Sequence, residues 1–127
     1  MSNDKKIIIA VDFDGTCVKH KYPHIGDDIG AVPVLLELAK RHNLILWTMR
    51  SGYELEQARL WGVNNGIEWW GVNRNEEQGF WTSSPKVYAN FYIDDAALGC
   101  PLISPVGERP YVDWEAMEDI LKQKNLI

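Results

Sequence analysis

The run IIIAVDFDGT, residues 7 to 16, constrains this chain more than any other stretch, because unbroken apolar residues lead straight into two carboxylates, Asp12 and Asp14, and then a glycine. A short apolar run closed by a turn residue reads as a strand buried on both faces, the kind that parallel sheets use. Acids at the carboxyl end of such a strand stand on the rim where open α/β sheets bind ligands. Carboxylates placed there call for a chemical reason.

The same grammar repeats along the chain. Ala31, Val34, Leu35, Leu38 and Ala39 recur at helical spacing, with Pro33 tolerated in the first turn. Leu44 to Thr48, LILWT, predicts a second strand, and Ser51 followed by Glu54 predicts a capping box for a helix that stops near Asn65 and Gly66. Ile67 to Val72, with Trp69 and Trp70, predicts a third strand, and Asn90 to Asp94 another; the segment between them, NRNEEQGFWTSSP, shows no period. Trp114, Met117, Ile120 and Leu121 mark one face of a last helix, with Asp113 and Glu115 at its start and Lys122 and Lys124 at its end, as the helix dipole favours. Alternating strands and helices predict an α/β, three-layer, Rossmann-like fold with a mostly parallel sheet covered on both faces.

A length of 127 residues predicts one domain, 1–127, with room for a single core and none for a folded cap. The net charge of −5 leaves no basic stripe for nucleic-acid phosphates, so nonspecific nucleic-acid binding is not expected. No apolar run approaches the roughly twenty residues of a membrane span, and none suits a signal peptide, so a cytoplasmic protein is expected. Cys17 and Cys100 lie far apart in no metal-type spacing, and both are expected as reduced thiols.

Polar residues at strand ends and helix starts follow in the order Asp12 with Asp14, Thr48, Lys86, and Asp94 with Asp95. Parallel strands place all their carboxyl ends on one rim, so these residues are expected in one crevice. A phosphoryl group meets repulsion from clustered carboxylates unless a hard cation lies between them, and Mg²⁺ prefers oxygen ligands. A hydroxyl and an ammonium suit the remaining phosphoryl oxygens. Thr48 supplies one, and Lys86, the only lysine between Lys40 and Lys122, supplies the other.

DFDGT at 12–16, an apolar strand ending in Thr48, Lys86, and the IDD of 93–95 resemble the four motifs of the haloacid dehalogenase superfamily, in order and across most of the chain. The resemblance implies a small capless member of that superfamily: a Mg²⁺-dependent phosphatase that hydrolyses a phosphomonoester through an aspartyl-phosphate. It implies Asp12 as nucleophile and Asp14 as the acid and base. Thr48 and the backbone N–H of Met49 would bind the transferring group, and Lys86 would offset its charge. The metal would take the Asp12 and Asp94 carboxylates and the Asp14 carbonyl, with Asp95 a ligand through water or an orienting neighbour. Without a cap the site would be open to a small or a macromolecular phosphoester, or enclosed by a second copy of the chain through Trp69, Trp70 and Trp81.

Blander readings stand beside these. Asp12 and Asp14 suit a turn, Thr48 a helix entry, and Lys86 a solvated helix position. Arg50 suits either a substrate contact or an ion pair with Glu54. Lys19, His20, Lys21 and His24 form a basic loop, within 17–30, that reads first as solvated and second as a flap over the site. Trp47, Trp61 and Trp114 read as core aromatics, and Cys17 as a small packed residue. A phospho-accepting receiver domain combines similar groups but ends on its lysine, whereas this chain ends on Asp94 and Asp95; a non-catalytic binding module on the same type of fold is the remaining alternative.

Overall fold

A computed structural model describes residues 7–127. The chain runs β1 (Ile8–Val11), α1 (Ala31–Arg41), β2 (Asn43–Leu46), α2 (Gly52–Asn64), β3 (Gly71–Val72), a 3-10 turn (Gln78–Phe80), β4 (Phe91–Ile93), β5 (Leu102–Ile103), β6 (Tyr111–Val112) and α3 (Trp114–Gln123). β1 to β4 form one parallel sheet in the order β3-β2-β1-β4, and β5 pairs with β6 in a separate antiparallel hairpin. The architecture is α/β, a Rossmann-like fold with no separate cap.

Strand alternation sorts the side chains of β1 and β2 onto two faces. Ile9, Val11, Leu44 and Leu46 face the larger core with Leu35 and Leu38 of α1, Ala58 of α2, and Trp114, Met117 and Leu121 of α3. Leu35 and Leu38 are fully enclosed there, and burial of each contributes roughly 1.5–3 kcal/mol. Ala10 and Ile45 point the other way, under Val87 and Ala89, with Ile8, Trp47 and Trp70 beside them.

That second face is covered by the irregular segment before β4, not by a helix. Such a cover must satisfy its own backbone polar groups. Gln78 does much of this: its Nε2 donates to the carbonyls of Ser84 (3.1 Å) and Lys86 (2.7 Å), and its Oε1 accepts from the Tyr88 N–H (2.7 Å). Asn75 Nδ2 donates to the Tyr88 carbonyl and the Tyr92 hydroxyl to that of Val87.

Two expectations need correction. The third strand is only Gly71–Val72, because Trp69 turns aside onto α2: its indole N–H donates to the Arg59 carbonyl, and a Cβ at Gly62 would lie 2.4 Å from that indole nitrogen. The second helix follows Ser51, yet no side-chain bond caps it; the chain enters instead through Gly52 at φ 55°, where glycine alone is unstrained. Trp69 and Trp70 are half-buried against the core clusters, and Phe80 and Trp81 are exposed.

α3 starts as its sequence predicts, with the Asp113 carboxylate accepting from the Ala116 N–H at 3.1 Å. The β5–β6 hairpin was not foreseen. It docks against the loop after β1, where the Val112 N–H donates to the Gly15 carbonyl (3.0 Å) and the Trp114 indole to that of Thr16 (2.7 Å).

Candidate active site

β1 and β4 are neighbours, paired Val11 to Ile93, so the residues that follow them emerge side by side. The Asp12 N–H donates to the Ile93 carbonyl at 2.9 Å and extends the ladder by one step. This brings Asp12, Asp94 and Asp95 together, each with an oxygen within 4.8 Å of the others. Asp12 and the pair Asp94 and Asp95, from opposite ends of the chain, become one cluster by strand adjacency alone.

Thr16 ties the two strand ends. Its hydroxyl lies 2.9 Å from Asp12 Oδ2 and 3.3 Å from Asp95 Oδ1, and it accepts the Asp95 backbone N–H at 3.0 Å. Asp95 Oδ2 meets His20 Nε2 at 2.8 Å. Gly15, at φ 81°, lies beneath that pair; a Cβ there would sit 2.0 Å from the imidazole nitrogen and 2.5 Å from Asp95 Oδ2. The glycine after Asp14 is therefore required twice, by its left-handed backbone and by the closeness of these side chains. Cys17 is buried behind the loop, its thiol 3.3 Å from the Asp12 carbonyl and pushed up by burial, as suits an inert packed residue.

The cluster is electrostatically unfavourable on its own. Burial, and after it the charge of Asp94, push the Asp12 carboxyl from 3.8 up to about 8, with Asp95 adding to the effect and the Thr16 hydrogen bond opposing it. All donors offered are carboxylate oxygens, the set a hard divalent cation takes.

Asp14 is not one of these three carboxylates and is held separately. Arg50 Nε donates to its Oδ2 at 2.8 Å and Nη2 to its Oδ1 at 2.7 Å, a bidentate fork. The rest of the guanidinium is equally committed: Nη1 donates to the carbonyls of Pro23 and Glu54, and Nη2 to that of His24. Arg50 is 2% exposed and lies between the rings of Phe13 (5.0 Å) and Tyr22 (5.1 Å). It makes neither a substrate-ready projection nor an ion pair with the Glu54 side chain; its contact there is the backbone carbonyl.

Thr48 and Met49 lie on the loop after β2. The Thr48 N–H donates to Asn73 Oδ1 (2.8 Å) and its hydroxyl accepts the Arg50 N–H (3.1 Å), while Met49 is 98% exposed. Lys86 is held apart from the carboxylates: its Nζ lies 5.7 Å from the Tyr92 ring centroid, and among the described residues it forms no ion pair. Three contributors escaped the sequence reading. His20 was grouped with a basic loop, and Arg50 was given other partners; Asn73, at φ 55°, was not singled out although it orients Thr48.

The basic loop is largely neutralised. Lys19 pairs with Glu108 of the hairpin turn at 2.9 Å and His20 meets Asp95, leaving Lys21 toward a cleft of about 360 Å³ between this loop and the turn bearing Glu108 and Arg109. No helix among the described residues is long and apolar enough to cross a membrane.

No family model matches the chain, and no curated protein matches it. It is similar to a solved structure, that of the conserved protein coded by locus from Bacteroides thetaiotaomicron, with 37% identity and a TM-score of 0.72 over 93% of this chain and 91% of that one. At that identity and coverage, the chain belongs to the same family as this conserved Bacteroides protein.

Proposed function

We propose that the chain is a Mg²⁺-dependent phosphomonoesterase of the haloacid dehalogenase type that works through an aspartyl-phosphate on Asp12. One observation carries the reading: three carboxylates from two adjacent strand ends converge within 4.8 Å, and Asp12 among them is pushed up to about 8 by burial and by Asp94. A half-buried acid cluster of this kind costs stability unless a cation joins it.

The donor set fits Mg²⁺. The Asp12 and Asp94 carboxylates and the Asp14 carbonyl would hold it, with Asp95, already engaged by Thr16 and His20, as an orienting neighbour. When bound, the ion neutralises carboxylate and phosphoryl charge, so that an anionic ester can approach.

The chain's own residues supply the rest. The Thr16 hydroxyl fixes the plane of the Asp12 carboxylate, whose oxygen attacks phosphorus in line as the bond to the leaving oxygen breaks. Asp14 gives its proton to that oxygen, then takes one from the water that cleaves the aspartyl-phosphate and releases phosphate. The Thr48 hydroxyl and the Met49 N–H stand on the next loop to receive phosphoryl oxygens, and Lys86 offsets charge when it leaves the Tyr92 ring. With no cap the site is open, which suits a small or a macromolecular phosphoester.

The test is hydrolysis of an aryl phosphate by the intact protein with Mg²⁺ and with chelator, beside Asp12→Asn. Turnover lost in both controls is the expected result; turnover that survives chelation, or that survives in Asp12→Asn, overturns the reading.

A further inference from the structure

Arg50 is the most heavily committed side chain of the molecule. A guanidinium has five N–H donors, and here five bonds use them: two to Asp14, two to the carbonyls of Pro23 and His24, and one to that of Glu54. Those acceptors belong to three separate pieces of chain: the turn after β1, the loop 19–28, and the first turn of α2. The rings of Phe13 and Tyr22 lie 5.0 and 5.1 Å from it and the side chain is buried, so the group has no freedom to swing toward a ligand.

Each Asp14 oxygen receives one N–H and keeps a second lone pair. The fork therefore fixes the plane and direction of the carboxylate and leaves each oxygen one open lone pair. The same nitrogens that hold Asp14 hold the loop carrying Tyr22, Pro23 and His24, so the loop and the carboxylate are set by one group.

We propose, on the basis of the phosphomonoesterase reading above, that Arg50 is a positioning residue: it aims Asp14 at the leaving oxygen and pins the 19–28 loop beside the site, without itself binding phosphate. A misplaced acid should matter most where the leaving oxygen needs its proton most. An alkyl ester has a poor leaving group and depends on Asp14; a nitrophenyl ester has a good one and depends on it little.

The experiment compares Arg50→Lys with the intact protein on an alkyl phosphate and on p-nitrophenyl phosphate, with thermal melts to establish folding. Lysine keeps the charge and loses the fork. The expected result is a fall in kcat/KM, which reads formation of the aspartyl-phosphate alone and not its common hydrolysis, of about 100-fold on the alkyl ester and about 10-fold or less on the aryl ester. In an Asp14→Asn background the same substitution should leave the alkyl-to-aryl ratio unaltered, since the group being aimed is gone. Equal losses on both esters, or a rise in KM alone, overturn the positioning role and mark Arg50 as a structural or a substrate-binding group. Tryptic cleavage after Lys19 and Lys21 reads the pinning without catalysis: it should accelerate in Arg50→Lys, and an unchanged rate overturns that half of the proposal. An intact protein inert on every ester overturns the phosphatase reading and the aiming role with it, while the cleavage rate still decides the pinning.

Discussion

Replacing Asp12 by Asn should make the metal-free protein more stable, although it removes the proposed nucleophile. The Asp12 carboxyl stands at about 8 in the fold against 3.8, so between those values the folded protein holds a proton that the unfolded chain has released. Stability from this group is greatest below about pH 4 and declines as pH rises toward about 8. At neutral pH the interval crossed is about three units at about 1.4 kcal/mol each, a ceiling near 4 kcal/mol. Rotation of the side chains and entry of water from the open side of the site relieve part of it, leaving about 2–4 kcal/mol. For a chain of 127 residues, an unfolding entropy of about 2.1 cal/mol/K per residue converts this to a rise in Tm of roughly 7–15 °C. The asparagine oxygen still accepts the Thr16 hydroxyl, so the gain is not offset by a lost bond. Melts followed by circular dichroism, with chelator, at about pH 5 and at about pH 7, isolate the effect as the difference between the two proteins. That difference should widen as pH rises and shrink when millimolar Mg²⁺ is added to the intact protein. An Asp12→Asn protein no more stable than the intact one at neutral pH would refute the reasoning, since the cluster would then carry no strain for a cation to relieve.

Three further outcomes follow from single contacts. Gly15→Ala should lower stability by about 2–4 kcal/mol in chemical denaturation and blunt the Mg²⁺-induced rise in Tm, because the new Cβ drives His20 and Asp95 apart. Leu38→Ala, in the core under α1, should cost about 2–5 kcal/mol while leaving the Mg²⁺ response of the residual folded protein intact. Trp114→Phe removes the indole donor to the Thr16 carbonyl and should cost about 1–3 kcal/mol; an unchanged denaturation midpoint would show that this bond does not anchor the loop.

What the sequence made legible was local or periodic. β1 and β4 announce themselves as apolar runs ending in acids, α1 and α3 by their spacing, and the convergence of Asp12 with Asp94 and Asp95 follows once the strands are parallel and adjacent. What was not legible depends on distance across the fold. The fork between Arg50 and Asp14 joins positions 36 apart and that between His20 and Asp95 positions 75 apart, with no pattern in the chain to link them. The cover on the second sheet face could not be read because it rests on two amides, Asn75 and Gln78, bonding to backbone in place of a helix. The β5–β6 hairpin has strands of two residues each, too short for an alternating signal, and its place is set by what it docks against. Ser51 and Glu54 carried a genuine capping signal that the fold did not use; the chain turns into the helix through Gly52 with no side-chain bond from Ser51.

The central claim is that the carboxylate of Asp12 becomes covalently phosphorylated. Single-turnover reaction with a phosphate-labelled ester and Mg²⁺, quenched in acid and digested, reads this directly. The account predicts label on the peptide containing Asp12, released by hydroxylamine as an acyl phosphate is, and absent from Asp12→Asn. Turnover with no labelled peptide would place water as the direct attacking group, and label on any other residue would contradict the assignment of Asp12.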